Sequence, residues 1–261
     1  MPLAPSFDTF GWFAKDMDTY RKVAHVLLDT PTPSPSPQGD GELSGGVGES
    51  PSPLRGGVRG GGKLSRPLSI AALDALVTPG CAAEYQRIRA KVADFVGEPR
   101  TTLAPPRSLD ELYWTTRKLQ AREAWDAHGA WIESGDRKLG KATHDRFAFG
   151  KGVSDVDMRE ETARRAEFTR WLSDLLGHDG FIVMPTVTDI APRSGATPEE
   201  FSVFREASIR LLCWSGLSGF PQLTLPLGTV EGAPFGISLL GPAGSDLALL
   251  EMGAKVMEVH R

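Results

Sequence analysis

Thirty-six consecutive residues, PTPSPSPQGDGELSGGVGESPSPLRGGVRGGGKLSR from Pro31 to Arg66, constrain this chain more than any other feature. They hold 10 Gly, 6 Pro and 6 Ser and no aromatic residue. Such a stretch cannot bury enough apolar surface to offset the entropy of ordering it, so it is expected to be disordered. The near-repeats PSPSP/PSP and GGVG/GGVRGGG suit a low-complexity insertion inside a domain, and a plain flexible linker reads equally well. The packed structure must therefore come from residues 1–30 and 67–261.

Those two parts carry regular patterns. Asp16 to Leu28 reads as a helix, with Tyr20, Val23, Ala24, Leu27 and Leu28 on one face and Asp16 and Asp18 near its positive end. Pro67 to Leu76 is a short apolar segment that Pro79-Gly80 breaks. Ala82 to Val96 predicts an amphipathic helix with Tyr85, Ile88, Val92 and Phe95 inward. Leu109 to Ile132 predicts a long helix opened by the capping pattern Ser108-x-x-Glu111. Met158 to Leu176 predicts another, with Ala166, Phe168, Leu172, Leu175 and Leu176 among its apolar positions. Then the pattern changes. Gly180 to Pro185 is a continuous apolar run with turn signals at both ends, as in a strand buried on both faces. Phe201 to Cys213 is helical, Leu223–Leu227 and Pro234–Leu240 form a hairpin about Glu231-Gly232, and Leu247–Val259 is a helix capped by Ser245 or Asp246. Helices alternating with buried strands make an α/β layered fold.

Composition excludes several functions. The formal net charge of −4 gives no electrostatic reason to expect nucleic acid or an anionic membrane as partner. No run reaches the roughly 18 apolar residues that span a bilayer. Cys81 and Cys213 form neither a CxxC pair nor a disulfide framework, which fits a reducing cytoplasm. His25, His128, His144, His178 and His260 show no metal-ligand spacing, so no metal or cofactor is expected. There is no GxGxxG, P-loop, GxSxG or HExxH motif, and Gly216-Leu-Ser218-Gly219 reads as a structural turn. A Ser/His/Asp triad assembled by folding stays open, with no residue singled out.

Five segments carry a family resemblance by their order and spacing. Pro5-Ser-Phe-Asp-Thr-Phe-Gly-Trp-Phe-Ala-Lys-Asp16 is similar to an S-x-D-x-x-G-x-x-A-R stretch. Leu119-Gln-x-x-Glu123-Ala-Trp125, Leu139-Gly140 and Asp145-Arg-Phe-Ala-Phe-Gly150 follow it. Next come Asp179-Gly-Phe-Ile-Val-Met-Pro-Thr186 with Ala191-Pro192, then Ser218-Gly-Phe-Pro-Gln222 with Leu225-Pro-Leu-Gly228. Last is Gly232-Ala-Pro-Phe-Gly-Ile-Ser-Leu-Leu-Gly-Pro242 with Ser245-Asp246. Together they resemble the C-terminal portion of amidase-signature hydrolases, nearest to the bacterial and plant-type amidases that include indoleacetamide hydrolases. The resemblance covers nearly everything outside residues 31–66.

That resemblance implies a partial amidase-signature fold, a mixed β-sheet flanked by helices, with residues 1–261 forming an incomplete amidase domain around the insertion. Family members hydrolyse carboxylic amides with a Lys–Ser–Ser triad and a backbone oxyanion hole. All of these lie ahead of the segment matching Ser6–Gly11, so no catalytic residue is carried over, and Lys15 reads as a surface lysine. The chain is expected to be a truncated, inactive fragment; the alternatives are an amidase completed by a separate N-terminal half, or a non-catalytic binding subunit. Three residues are candidates for substrate binding: Arg146, at the position where amidotransferase-type relatives hold a substrate carboxylate; Thr186, beyond the end of an apolar strand; and Trp214, ahead of the Gly216–Pro221 loop. The expected partners are a small-molecule amide and, through an uncovered apolar sheet edge, a second copy or an N-terminal amidase fragment.

Overall fold

The computed structural model describes residues 2–28, 63–102 and 104–259. The helices are α1 (Met17–Leu28), α2 (Ala71–Asp74), α3 (Pro79–Val96), α4 (Leu109–Glu133), α5 (Lys141–Gly152), α6 (Asp155–Leu176), α7 (Pro198–Ser218) and α8 (Asp246–Val259). The strands are β1 (Arg66–Ser69), β2 (Arg100–Thr101), β3 (Gly180–Pro185), β4 (Gln222–Val230) and β5 (Ala233–Leu240). They make one mixed sheet of order β2-β1-β3-β5-β4, parallel on the β2-β1-β3 side and antiparallel through β5 and β4.

Strand alternation divides the core into two layers. Phe181 and Val183, Leu223 and Leu225, and Phe235, Ile237 and Leu239 point to one face, where Tyr85, Ile88 and Val92 of α3 and Leu249, Leu250 and Val256 of α8 cover them. Leu68, Ile182, Met184 and Leu240 point to the other, under Phe168, Leu172 and Leu176 of α6 and Leu211, Trp214 and Leu217 of α7. Side chains of β3 are buried throughout, as its continuous apolar run requires.

Local sequence explains where the elements begin and end. Ser108 and Glu111 form the expected capping box on α4, and Ser154–Asp157 and Thr197–Glu200 form two more on α6 and α7. Between β4 and β5, Glu231 (φ 51°) and Gly232 (φ 80°) both take the left-handed conformation of a tight hairpin turn, which Gly232 adopts without a Cβ penalty. Residues 31–62 of the low-complexity segment lie outside the described residues. Its end does not match the expectation: Leu64 is buried and Arg66 opens β1, donating to the carbonyls of Leu175 and Leu176 and pairing with Asp179.

Four other expectations are corrected. Pro79-Gly80 starts a helix, with Thr78 as N-cap and Pro79 in the first turn, where its missing amide hydrogen costs nothing. Phe95, Leu27 and Ala166 face solvent. α5, not anticipated as a helix, packs on α4 at Gly150, where a Cβ would collide with the backbone of Ala121. The apolar sheet edge is not found among the described residues. β3 and the Phe235–Leu240 stretch of β5 are buried within this one chain, and the exposed residues of β4 are Thr224, Pro226 and Thr229. The outer edge of β4 is partly satisfied by α3: Glu84 accepts from the Thr229 amide at 2.8 Å and Arg87 donates to the Leu227 carbonyl at 3.2 Å. Large exposed apolar residues sit elsewhere, at Phe10 and Phe13 ahead of α1 and at Trp114, Phe201, Val203 and Leu212 on α4 and α7.

Candidate functional site

The second sheet face is apolar only on its β1–β3 side. Towards β4 the inward positions become Ser238 and Gly236 on β5 and Thr224 on β4, beside Thr186 just past β3. Ser238, fully buried, joins the others: its Oγ lies 2.9 Å from Thr186 Oγ1 and 3.1 Å from Thr224 Oγ1. The result is a chain of three hydroxyls across three strands, open to solvent at Thr224 and half-buried at Thr186. Hydroxyls of this kind can both donate and accept, which suits an amide. No lysine, histidine or carboxylate bonds to them among the described residues.

The three candidate residues fall in three places, and no hydrogen bond, ion pair or ring contact joins them. Thr186 is in the hydroxyl chain. Trp214 is fully buried in the second core layer, edge-on to Phe168 at 5.2 Å and to Trp171 at 5.8 Å, so it lines no open pocket; its indole N–H is without a hydrogen-bond partner. Arg146 is on the exposed side of α5, electrostatically coupled to Arg205 of α7, which also senses Arg117 of α4.

Other reactive groups are accounted for structurally. Burial raises the pKa of the Cys81 thiol and pushes Cys213 up to about 12, so both stay protonated. Ser218 donates to the Trp214 carbonyl and accepts from the Phe220 amide, closing α7 as a structural turn before Gly219 takes its left-handed conformation. Lys15 is exposed. Among the described residues no cluster of three His, Cys, Asp or Glu has metal-binding geometry.

The sequence motif around Ser6 has a physical role that sequence reading missed. Glu123 of α4 accepts from Ser6 N at 2.8 Å and from Ser6 Oγ at 2.5 Å. Arg165 of α6 donates to Ser6 Oγ (2.6 Å), Ser6 O (2.9 Å), Leu217 O (2.8 Å) and Gly216 O (3.2 Å), and stacks over the Phe7 ring at 4.4 Å. Asp8 turns the chain by accepting from the amides of Leu3 and Ala4. This clamp fixes the N-terminal segment against α4, α6 and α7. Glu123 stood in a recognised motif; Arg165 had no signal, since it is an ordinary polar position on a helix.

The chain resembles known proteins in both sequence and fold. No protein-family model matches. Amidase 1 of Arabidopsis thaliana is 30% identical over 96% of this chain and 60% of its own length. A pea (Pisum sativum) protein named Translocon at the outer membrane of chloroplasts 64 is 26% identical over 96% of this chain and 42% of its own length. Solved amidases share the fold. One, a bacterial aryl acylamidase of the amidase-signature enzymes, superposes with a TM-score of 0.59 at 15% identity, over 76% of this chain and 44% of that one. The chain thus spans about 40–60% of the length of the relatives it matches. In sequence it resembles proteins named amidase, and it shares the fold of amidase-signature structures, as a portion of that fold consistent with its C-terminal part.

Proposed function

We propose that these residues form the substrate-side portion of a carboxamide hydrolase, whose lysine and two serines come from sequence outside the 261 residues. The observation behind this is the coverage: 96% of the chain matches a relative named Amidase 1, yet only 60% of that relative is matched. The hydroxyl chain Thr186–Ser238–Thr224 supports it, because it offers hydrogen bonds for an amide at the polar part of the sheet. Thr186 is proposed to contact the amide and Arg146 a substrate carboxylate, while Trp214 packs in the core against Phe168 and Trp171. The partner is a small carboxamide, with indoleacetamide-type aryl amides as the first class to try, and not nucleic acid. The proposed compartment is the cytoplasm, in keeping with two free, buried cysteines. No helix among the described residues is long and apolar enough to cross a membrane.

The test is direct. The 261-residue chain is assayed with aryl carboxamides alone, mixed with the portion of Amidase 1 that it does not match, and fused to that portion. Hydrolysis is expected only in the last two cases, and is expected to vanish when a serine of the added portion is replaced. Turnover by the chain alone that is lost on replacing one of its own serines would overturn the proposal. A non-catalytic binding subunit is the second reading. The relative named as a translocon component favours it, and failure of both combined forms to turn over would select it.

A further inference from the structure

We propose that the cleft between α4 and α5 binds a small aromatic amino acid, its ring inward and its ammonium and carboxylate at the mouth. The cleft has a volume of about 330 Å³ and is lined by Trp125, Ile132 and Glu133 of α4 and by His144, Phe147 and Lys151 of α5. Trp125, Gly129, Ile132 and Glu133 follow one another at helical spacing, as do His144, Phe147 and Lys151, so one face of each helix builds one wall. Both aromatic rings are held in place by neighbours. The Trp125 indole lies on Gly129, where an added Cβ would come within 2.6 Å of the ring. Phe147 meets His128 edge-on at 6.1 Å, and His128 Nε2 bonds the Pro2 carbonyl at 2.9 Å. Trp125, Ile132 and Phe147 are only partly buried, so the cleft offers apolar surface that a ligand ring would cover.

The charges at the mouth select the rest of the ligand. Lys151 Nζ meets the Glu133 carboxylate at 2.6 Å and stands 5.3 Å from the centre of the Trp125 ring. Both side chains of this pair are more than half exposed, and their charges cancel. His144 completes the mouth, 3.8 Å from Asp145. A lone anion gains Lys151 but meets Glu133, and a lone cation gains Glu133 but meets Lys151. A zwitterion laid antiparallel to the pair gives each of the four charges an opposite neighbour and leaves the pair intact. An α-amino acid carries its ammonium and carboxylate on one carbon, so both reach two residues that touch each other. The cleft is at the small end of ligand sites, which begin at roughly 300 Å³, and so suits one ring or two fused rings. Thr186, Arg146 and Trp214 do not line it, and the site needs no hydrolysis.

L-Phenylalanine, 3-phenylpropanoate and phenethylamine share a ring and differ in charge. Each is titrated separately into the purified 261-residue chain by calorimetry. One-site saturation by phenylalanine is expected, with each analogue about three- to tenfold weaker, because an exposed ion contact adds modestly and a like charge opposes it. In Glu133→Gln, phenylalanine should lose its advantage over 3-phenylpropanoate; in Lys151→Met, it should lose its advantage over phenethylamine. Gly129→Ala, which drives the Trp125 ring off its seat, should weaken all three ligands alike. If that variant fails to fold, the two charge variants, at exposed positions, still carry the test. Lys255→Ala, exposed on α8, is the control and is expected to bind as the parent does. No saturation by phenylalanine up to about 10 mM, ten times a millimolar Kd, would overturn the proposal. Equal or tighter binding of either analogue would overturn it too, as would a preference for phenylalanine that survives both charge variants. Because the readout is binding without turnover, its failure leaves the hydrolase proposal standing, and failure of hydrolysis leaves this one standing.

Discussion

Replacing Arg165 with alanine should release the N-terminal segment. The substitution removes four hydrogen bonds from a charged donor and the stack on Phe7. Two of the acceptors keep a partner: Leu217 O retains Thr169 Oγ1 at 3.3 Å, and Ser6 Oγ retains Glu123. The Ser6 and Gly216 carbonyls lose the donor that the clamp gives them, and Glu123 loses the cation facing it. An acceptor left without a partner costs about 1–3 kcal/mol when buried, and less where water enters. Arg165 is half-buried, so the expected loss is about 2–4 kcal/mol, read as a lower urea midpoint or a fall in Tm of roughly 5–15 °C. The damage should be local first, with chymotrypsin gaining a cut at Phe7 before the rest of the chain unfolds. Arg165→Lys should recover less than half, because one ammonium cannot reach acceptors on both Ser6 and the end of α7. An Arg165→Ala chain with an unchanged midpoint and unchanged cleavage at Phe7 would refute the clamp.

Other consequences follow from particular contacts. Glu161 is fully buried and accepts from Thr115, Lys118 and Arg164; Glu161→Ala strips Thr115 of its carboxylate partner while Lys118 keeps Asp157 and Arg164 keeps Glu160, and should cost about 1–3 kcal/mol, measured by urea unfolding. Ser108→Ala should cost about 1 kcal/mol through loss of the capping box on α4, read by the same assay. Burial holds the Asp74 carboxyl above its usual pKa while Tyr85 donates to it at 2.5 Å, so the folded state holds the proton more tightly than the unfolded one. That contribution is fully present below the unfolded carboxyl value of about 3.9 and is lost as pH rises through the higher folded value. Asp74→Asn should therefore gain stability over the parent at pH 7 and lose that advantage near pH 3.5, with an equal difference at both pH values counting against it. Neither thiol should react with a disulfide reagent at pH 7.5 until the chain is unfolded.

Elements whose sequence carries their own local signal were readable in advance. β3 shows a continuous apolar run because both of its faces are covered, and the β4–β5 hairpin announces itself by Glu231-Gly232 between apolar stretches. α4 carries Ser108 and Glu111 at the one spacing that caps a helix reciprocally. α5 was unreadable, since KATHDRFAFGKG has no apolar stripe and its packing rests on Gly150 meeting Ala121 of another helix. β1 and β2, of four and two residues, are too short for periodicity and form because β3 offers a partner edge. Trp214 stood beside a turn in sequence, and only the approach of Phe168 and Trp171 from α6 makes it core.

The same distinction governs the candidate residues. Thr186 was legible because it ends a strand, but its value depends on Ser238 and Thr224, brought beside it by the register of an antiparallel pair formed some 40–50 residues later. Arg146 was legible only through a family spacing, and the structure puts it on the exposed side of α5. The sheet edge was misjudged for a related reason. Apolar content shows that β3 and β5 need cover, but not who supplies it, and α3, α6, α7 and α8 supply it within this chain. What the fold leaves open is then polar on the sheet, where Thr224 and Thr186 reach solvent, and apolar only on helices and the N-terminal segment. Anything packed against the polar part of this sheet would therefore meet hydroxyls rather than a bare hydrophobic strand.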